Sequence, residues 1–409
     1  MRSVAMAVVL VIGGLCGYCP VAHAADSSPD EEDATWDLSL EKGLRVTNHA
    51  SDIEFRIGGR LHLDAAQFQE DLSLIDDDTQ VRRARTYIAG KIGQRWRFRV
   101  EREFASGREG WRNLWAQYRF SNKVWLKAGN FVAPFGMEDV AASNHATFME
   151  RALPSAIAPS FQTGLGFGVR GKIGDVRRRH HYSWAVSVGG EPLGDEENDR
   201  HRTKHQSLTT RFTYAPFARS KRLLHFGASI EHRKLDSRSL YRTRTRPESS
   251  LAPALLNTGL LSDVDSTLST GLESALSWGS LSAQAEYMRT SLSRDAGRPD
   301  PTFDGWYGQL SYTLTGEHRI YSRSTGSFRG IKPRGRWGAV ELAARYSELD
   351  LIDETVRGGR AKDMTIGINW YLRDGVRLMF NYVKVDAKRR SDLQDDDPEI
   401  FQFRLLAFL

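Results

Sequence analysis

The sequence predicts an all-β chain: a transmembrane antiparallel β-barrel of about 16 strands, with a long third loop folded into the lumen. Three observations carry this. Apolar and polar residues alternate with period two almost everywhere from Ile53 to the last residue. No apolar run after residue 24 approaches the roughly 20 residues that a membrane-spanning helix needs. The polar faces of the strands are too charged to form a dry interior, since charge buried without partners is costly. A water-filled lumen removes that difficulty, whereas a soluble β-sandwich does not.

The N-terminus has a processing signature. Arg2 is a short basic region, Val4 to Leu15 is apolar but too short to span, and Ala22-His23-Ala24 is a small-x-small cleavage site. Residues 1–24 are therefore expected to be a signal peptide, residues 25–50 a short acidic periplasmic segment with Glu31-Glu32-Asp33, and residues 51–409 the barrel domain. Both cysteines, Cys16 and Cys19, fall inside the leader, so the exported chain has no disulfide framework to rely on. A mean hydropathy of −0.47 resembles that of a soluble protein. A barrel strand averages lipid-facing with lumen-facing residues, so the value excludes nothing.

The alternation is clearest late in the chain. Trp306, Gly308, Leu310, Tyr312 and Leu314 share one face, as do Met364, Ile366, Ile368, Trp370 and Leu372. Strands are expected near 53–68, 79–92, 96–104, 111–120, 124–131, 163–173, 182–190, 206–215, 222–233, 266–278, 281–292, 304–314, 337–349, 362–372, 376–386 and 398–409. Short turns at 93–95, 121–123, 279–280 and 373–375 alternate with long polar connections near 132–162, 191–205, 234–265 and 387–397. That is the expected asymmetry between periplasmic turns and outer loops. The connection 315–336 breaks the pattern: parity makes it periplasmic, yet it is long and basic. Trp96, Tyr182, Trp278, Trp306 and Trp370 stand at outward strand ends, where rings form interfacial girdles.

Composition narrows the chemistry. The 57 basic residues are 45 Arg and 12 Lys, against 51 acidic ones. Arg offers a planar fork that grips oxyanions bidentately. Parity points Arg56 and Arg60, then Arg83 and Arg85, then Arg97 and Arg99, then Arg119, then Arg170 and Lys172, then Arg211 to the lumen, with Arg82 at a strand entrance. Such a wall concentrates anions and gives them several weak sites. The plainer reading is that these residues only face acidic groups inside, because Glu101, Glu103 and Glu341 share the inward parity. The segment 132–162 carries Phe135, Phe148, Phe161 and Met149 between prolines, which a loop facing bulk water has no need of. It is the candidate constriction, with Phe135, Glu138, Ser143, His145 and Arg151 as its candidate residues. His180-His181 after Arg177-Arg178-Arg179, Asp76-Asp77-Asp78 and Asp395-Asp396-Asp397 read best as solvated turns. No metal, cofactor or nucleic-acid motif is found, nor a G-x-S-x-G or H-E-x-x-H pattern.

Several motifs are familiar. Arg82-Arg83-Ala84-Arg85, Gly129-Asn130-Phe131 with Pro134-Phe135-Gly136-Met137-Glu138, and Phe148-Met149-Glu150-Arg151 resemble the phosphate-selective porin O/P family of Gram-negative outer membranes. So do Leu314-Thr315-Gly316-Glu317, Glu341-Leu342-Ala343 with Arg345-Tyr346-Ser347, Asn369-Trp370-Tyr371-Leu372 and Val376-Arg377-Leu378-Met379-Phe380-Asn381-Tyr382. The resemblance implies a homotrimeric 16-stranded barrel in outer-membrane lipid. Its third loop would narrow a channel for phosphate or polyphosphate, and Arg82, Arg83 and Arg151 match positions that line the basic path. His145 stands where the family commonly has Arg or Lys, and Leu409 replaces the usual terminal aromatic. Other readings left open are a general porin, an outer-membrane barrel enzyme such as a lipase, and an adhesive barrel.

Overall fold

The computed structural model describes residues 36–40, 43–69, 76–105, 107, 109–173, 180–193, 204–219, 221–236, 239–295, 297–353, 355–389 and 395–409. Sixteen strands form a closed antiparallel barrel: β1 (Ile53–Gln69), β2 (Asp78–Ile92), β3 (Trp96–Glu103), β4 (Gly110–Arg119), β5 (Val124–Val132), β6 (Phe161–Ile173), β7 (His180–Gly190), β8 (His205–Arg219), β9 (Arg222–Leu235), β10 (Val264–Trp278), β11 (Leu281–Arg294), β12 (Thr302–Thr313), β13 (Ala339–Asp353), β14 (Val356–Arg373), β15 (Val376–Lys388) and β16 (Glu399–Phe408). Closure comes from β16 pairing with β1, in a register that sets Phe408 against Arg60 and Glu399 against Gln69. Closing the sheet removes the free edges that lipid cannot hydrogen-bond. The acidic N-terminal segment adds a hairpin, Trp36–Ser39 with Leu44–Asn48, which pairs with β1 below the end of β16.

The expected face assignment is realised. Leu272, Leu310, Ile366, Ile368 and Phe380 are exposed on the outside, whereas Glu341, Arg345, Ser347, Asn369 and Thr365 are buried inside. Trp96, Trp278 and Trp370 lie outward near one rim, and Trp306 packs on Tyr346 near the other with ring centroids 5.2 Å apart.

Strands β13 and β14 run further than the alternation of apolar outward residues marks. The reason is an inversion of polarity at the extracellular end. There Leu349 and Leu351 of β13, Ala361 of β14 and, beside them on β15, Val383, Val385 and Ala387 point inward and are buried, while Arg360 of β14 and Lys384, Asp386 and Lys388 of β15 point outward and are exposed. The inward apolar ends need a covering. The connection between β9 and β10 provides it, packing Ala252, Leu255 and Leu256 against Val383, Val385, Ile400 and Leu349.

Candidate functional site

Among the described residues, three segments fold into the barrel. The first is the 133–160 connection, which leaves β5 and turns at Gly136, where φ is +62°. It then forms the short helix α1 (Met137–Val140) and two 3-10 turns, Ser143–His145 and Leu153–Ile157. Its apolar side chains explain why it turns inward: Phe135, Met137, Phe148, Leu153 and Ile157 are all buried. The free N–H groups that open α1 are received by Glu286 of β11, at 2.6 Å from Met137 and 2.8 Å from Glu138.

The second is the anomalous basic connection after β12. It forms a hairpin, Arg319–Ser322 with Ser327–Ile331, that enters the barrel from the periplasmic end. Arg319 pairs bidentately with Glu341 at 2.8 Å for both bonds, and Phe328 packs with Met137, Ala215, Ala218, Leu223 and Ala275. This answers why a periplasmic connection is long and basic: it is an interior element. The third is the β9–β10 connection, which sends Glu248 to Arg345 at 2.9 Å and to Ser347 at 2.6 Å.

These insertions pack mostly on the wall from β8 to β16. Arg211 does point inward, as parity predicts, but it is sealed. It pairs with Glu273 at 2.5 Å and donates to the carbonyls of Thr325 and Gly326 at 2.7 and 2.8 Å. Phe135 and Glu138 likewise differ from the expected constriction surface. Phe135 is core, and Glu138 is buried against Arg345 at 3.3 Å, because the loop is anchored through this stretch.

The wall from β1 to β6 is different. A bulge in β2 opposite His62 and Leu63 turns Arg82 inward beside Arg83. Arg82 pairs with Glu150 of the loop at 2.7 Å, and Glu150 also takes Arg404 at 2.8 Å. Burial raises the affinity of Glu150 for a proton, but Arg82 and Arg404 outweigh it and hold the carboxyl well below the usual range. Arg83 has no ion pair among the described residues, and its Nε lacks any hydrogen-bond partner. Glu101 faces three guanidiniums, Arg60 at 3.5 Å, Arg85 at 3.2 Å and Arg99 at 2.6 Å, while Glu103 takes Arg85 at 2.5 Å. Arg56 sits 3.4 Å from Glu54. Nearer the periplasm, Arg97, Arg119, Arg170 and Lys172 meet no carboxylate within ion-pair distance among the described residues. Arg119 and Arg170 donate instead to Asn122, at 2.7 and 3.0 Å.

The loop meets this wall at 143–151. Arg60 donates to Ser143 at 3.1 Å, and His62 contacts Asn144 at 3.2 Å. Arg151, the one Arg or Lys of this loop, has a side chain 40 % exposed and pairs with Asp139 at 2.9 Å. His145 is half-buried between Phe408 and the hairpin backbone at Gly330, and its carbonyl accepts from Arg319. Burial lowers its pKa to about 4, with Arg329, Arg377, Arg60 and Arg319 pushing the same way. Sequence reasoning missed His62, Glu150, Glu248 and Arg404. Glu150 stood inside a recognised motif, but no local signal told that it would meet Arg404, 254 residues away.

A closed barrel with lipid-facing apolar strands, a charged interior and an inserted loop defines an outer-membrane porin-type channel. The profile of the family described as phosphate-selective porin O and P matches residues 55–406, and the chain belongs to that family. It is 27% identical to Porin O of Pseudomonas aeruginosa over 409 aligned residues, covering 90% of this chain and 91% of that one. Among solved structures, the barrel is similar to OmpT of Vibrio cholerae in its trimer form, with a TM-score of 0.52 at 9% identity, covering 87% and 99% of the two chains. It is also similar to an anion-selective porin from Comamonas acidovorans, with a TM-score of 0.50 at 11% identity and coverage of 87% and 99%. The protein is thus a Gram-negative outer-membrane porin.

Proposed function

We propose that this porin conducts small anions passively, with phosphate or polyphosphate as the preferred cargo, and does not catalyse a reaction. The observation that carries this reading is the excess of cationic side chains on the β1–β6 wall. Arg83, Arg97, Arg119, Arg170 and Lys172 have no acidic partner among the described residues, and one carboxylate, Glu101, serves three guanidiniums. Arg60, Arg83 and Arg99 would pass an anion toward Ser143 and Arg151 on the loop. Each site is weak enough to leave because other cations flank it. The protein would act as a homotrimer, a state named for the OmpT relative, and residues 1–24 would be removed on export.

The test is the combined replacement of Arg83, Arg97 and Arg99 by Ser, with reversal potentials measured under a salt gradient. The anion-over-cation permeability ratio is expected to fall by about five-fold, from several charges acting across a water-filled lumen. An unchanged ratio in a heat-modifiable, folded protein would mean that these side chains do not meet the permeating ion.

A further inference from the structure

Inorganic phosphate needs charges and hydrogen-bond donors, not rings, yet aromatic side chains share the lumen face of the basic wall. Trp115 of β4 and Trp125 of β5 have inward parity. Lys127 stands between them, with its ammonium 4.7 Å from the Trp115 ring, 5.2 Å from Trp125 and 5.3 Å from Phe131. No carboxylate reaches Lys127 among the described residues. The neighbouring strand makes room for the rings: Gly168 lies under Trp125, where an added Cβ would collide with the indole, and Gly166 lies under Phe131, where it would crowd the ring. The indole of Trp125 therefore lies flat along the wall. Register sets Arg97 opposite Gln117, which is itself opposite Lys127, and Arg119 opposite Trp125, so cations and ring faces interleave. Trp115, Trp125 and Lys127 are each partly exposed, so this surface is open to the lumen.

A hydrated oxyanion gains nothing from an indole face. An anion with a flat apolar body gains both a stacking surface and a charge partner. We propose that the periplasmic half of this wall is a binding site for organic anions with a planar aromatic body, such as aryl phosphates and aromatic carboxylates, held by Trp115 and Trp125 through the ring and by Lys127 and Arg97 through the anionic group. This rests on the anion-conducting reading and narrows the range of its cargo.

The test compares phenyl phosphate with inorganic phosphate as blockers of chloride current through the full-length protein in planar bilayers. Phenyl phosphate is expected to reach half-block at about five-fold lower concentration, the gain that one ring stack gives. Trp125→Leu should bring the two blockers together, and Trp115→Leu, which leaves the ring over Gly168 in place, should narrow the gap. Heat-modifiability on gels checks the fold of each variant. Equal block by the two compounds in the native pore overturns the proposal, as does a preference that survives in both Trp variants. Absence of block by either compound, with reversal potentials favouring cations, overturns the anion-conducting reading itself.

Discussion

The two halves of the lumen wall carry the same residue types with opposite outcomes. From β8 to β16, Arg211, Arg345 and Arg404 are each matched by at least one carboxylate, covered by an inserted segment and nearly without exposure. From β1 to β6, Arg97 is exposed, Arg83 has no acidic partner among the described residues, and Glu101 is shared three ways. An inward Arg can be mortar or pore lining, and strand parity is blind to the difference. Acid count and loop cover decide it. A charge already neutralised and shielded from water contributes little to the field in the channel, whereas an uncompensated one facing solvent sets it.

The largest effect is expected at Arg345, in the sealed half. Its guanidinium holds Glu248 of the extracellular insertion, Glu138 of the third loop and the carbonyl of Glu150, with Phe148 stacked 4.4 Å away. Arg345→Ala strands buried carboxylates and should cost about 3–5 kcal/mol. The readout is the temperature at which the folded band disappears on a gel. A variant that melts with the native protein would show that the sealed half is not held by these pairs.

The next test removes one charge from each half. Arg97→Ser should lower the anion-over-cation ratio about two-fold: a unit charge roughly 10 Å away in water is worth about 0.4 kcal/mol to each ion with opposite sign, and salt screening leaves about half of the sum. Arg211→Gln removes the same charge and should leave the ratio nearly unchanged while lowering thermal stability. Equal shifts in reversal potential for the two variants would erase the distinction between the walls.

The smallest effect belongs to His145. With a pKa of about 4, roughly a tenth of the rings carry a proton at pH 5. Between pH 7 and 5 the phosphate block of the native pore should therefore follow only the titration of phosphate itself, as it does in His145→Gln. His145→Lys should strengthen block at pH 7. The stability consequence has a definite sign. The unfolded chain, with its ordinary value of 6.5, binds a proton that the folded chain refuses until about pH 4. Stability is thus lost as pH falls from 6.5 to 4. Melting temperatures of native protein and His145→Gln should diverge over that window, the native protein falling further. Parallel curves would place His145 outside the packed site.

The strands were legible because period two is a local property. Leu310, Ile366 and Phe380 had to face lipid, which put Glu341, Arg345 and Ser347 inside, and sixteen such segments returned the strand count. The third loop was legible from Phe135, Phe148 and Met149, whose burial a surface loop cannot provide. The inward direction of Arg56, Arg60, Arg85, Arg99 and Arg170 followed from the same parity. The basic 315–336 connection stood out by its length, but nothing local indicated that it would cross into the barrel.

What the sequence determined alone was everything that depends on neighbours a few residues apart: strands, faces, turns and the abundance of inward arginine. Only the tertiary structure decided which of those arginines meet a carboxylate, because the partners are far apart in the chain. Arg404 meets Asp64 across 340 residues, Arg345 meets Glu248 across 97, and Arg211 meets Glu273 across 62. Closing the barrel brings its first and last strands together, and folding three segments inward selects which charges are neutralised. The field in the lumen is the remainder of that pairing, and no window of sequence contains it.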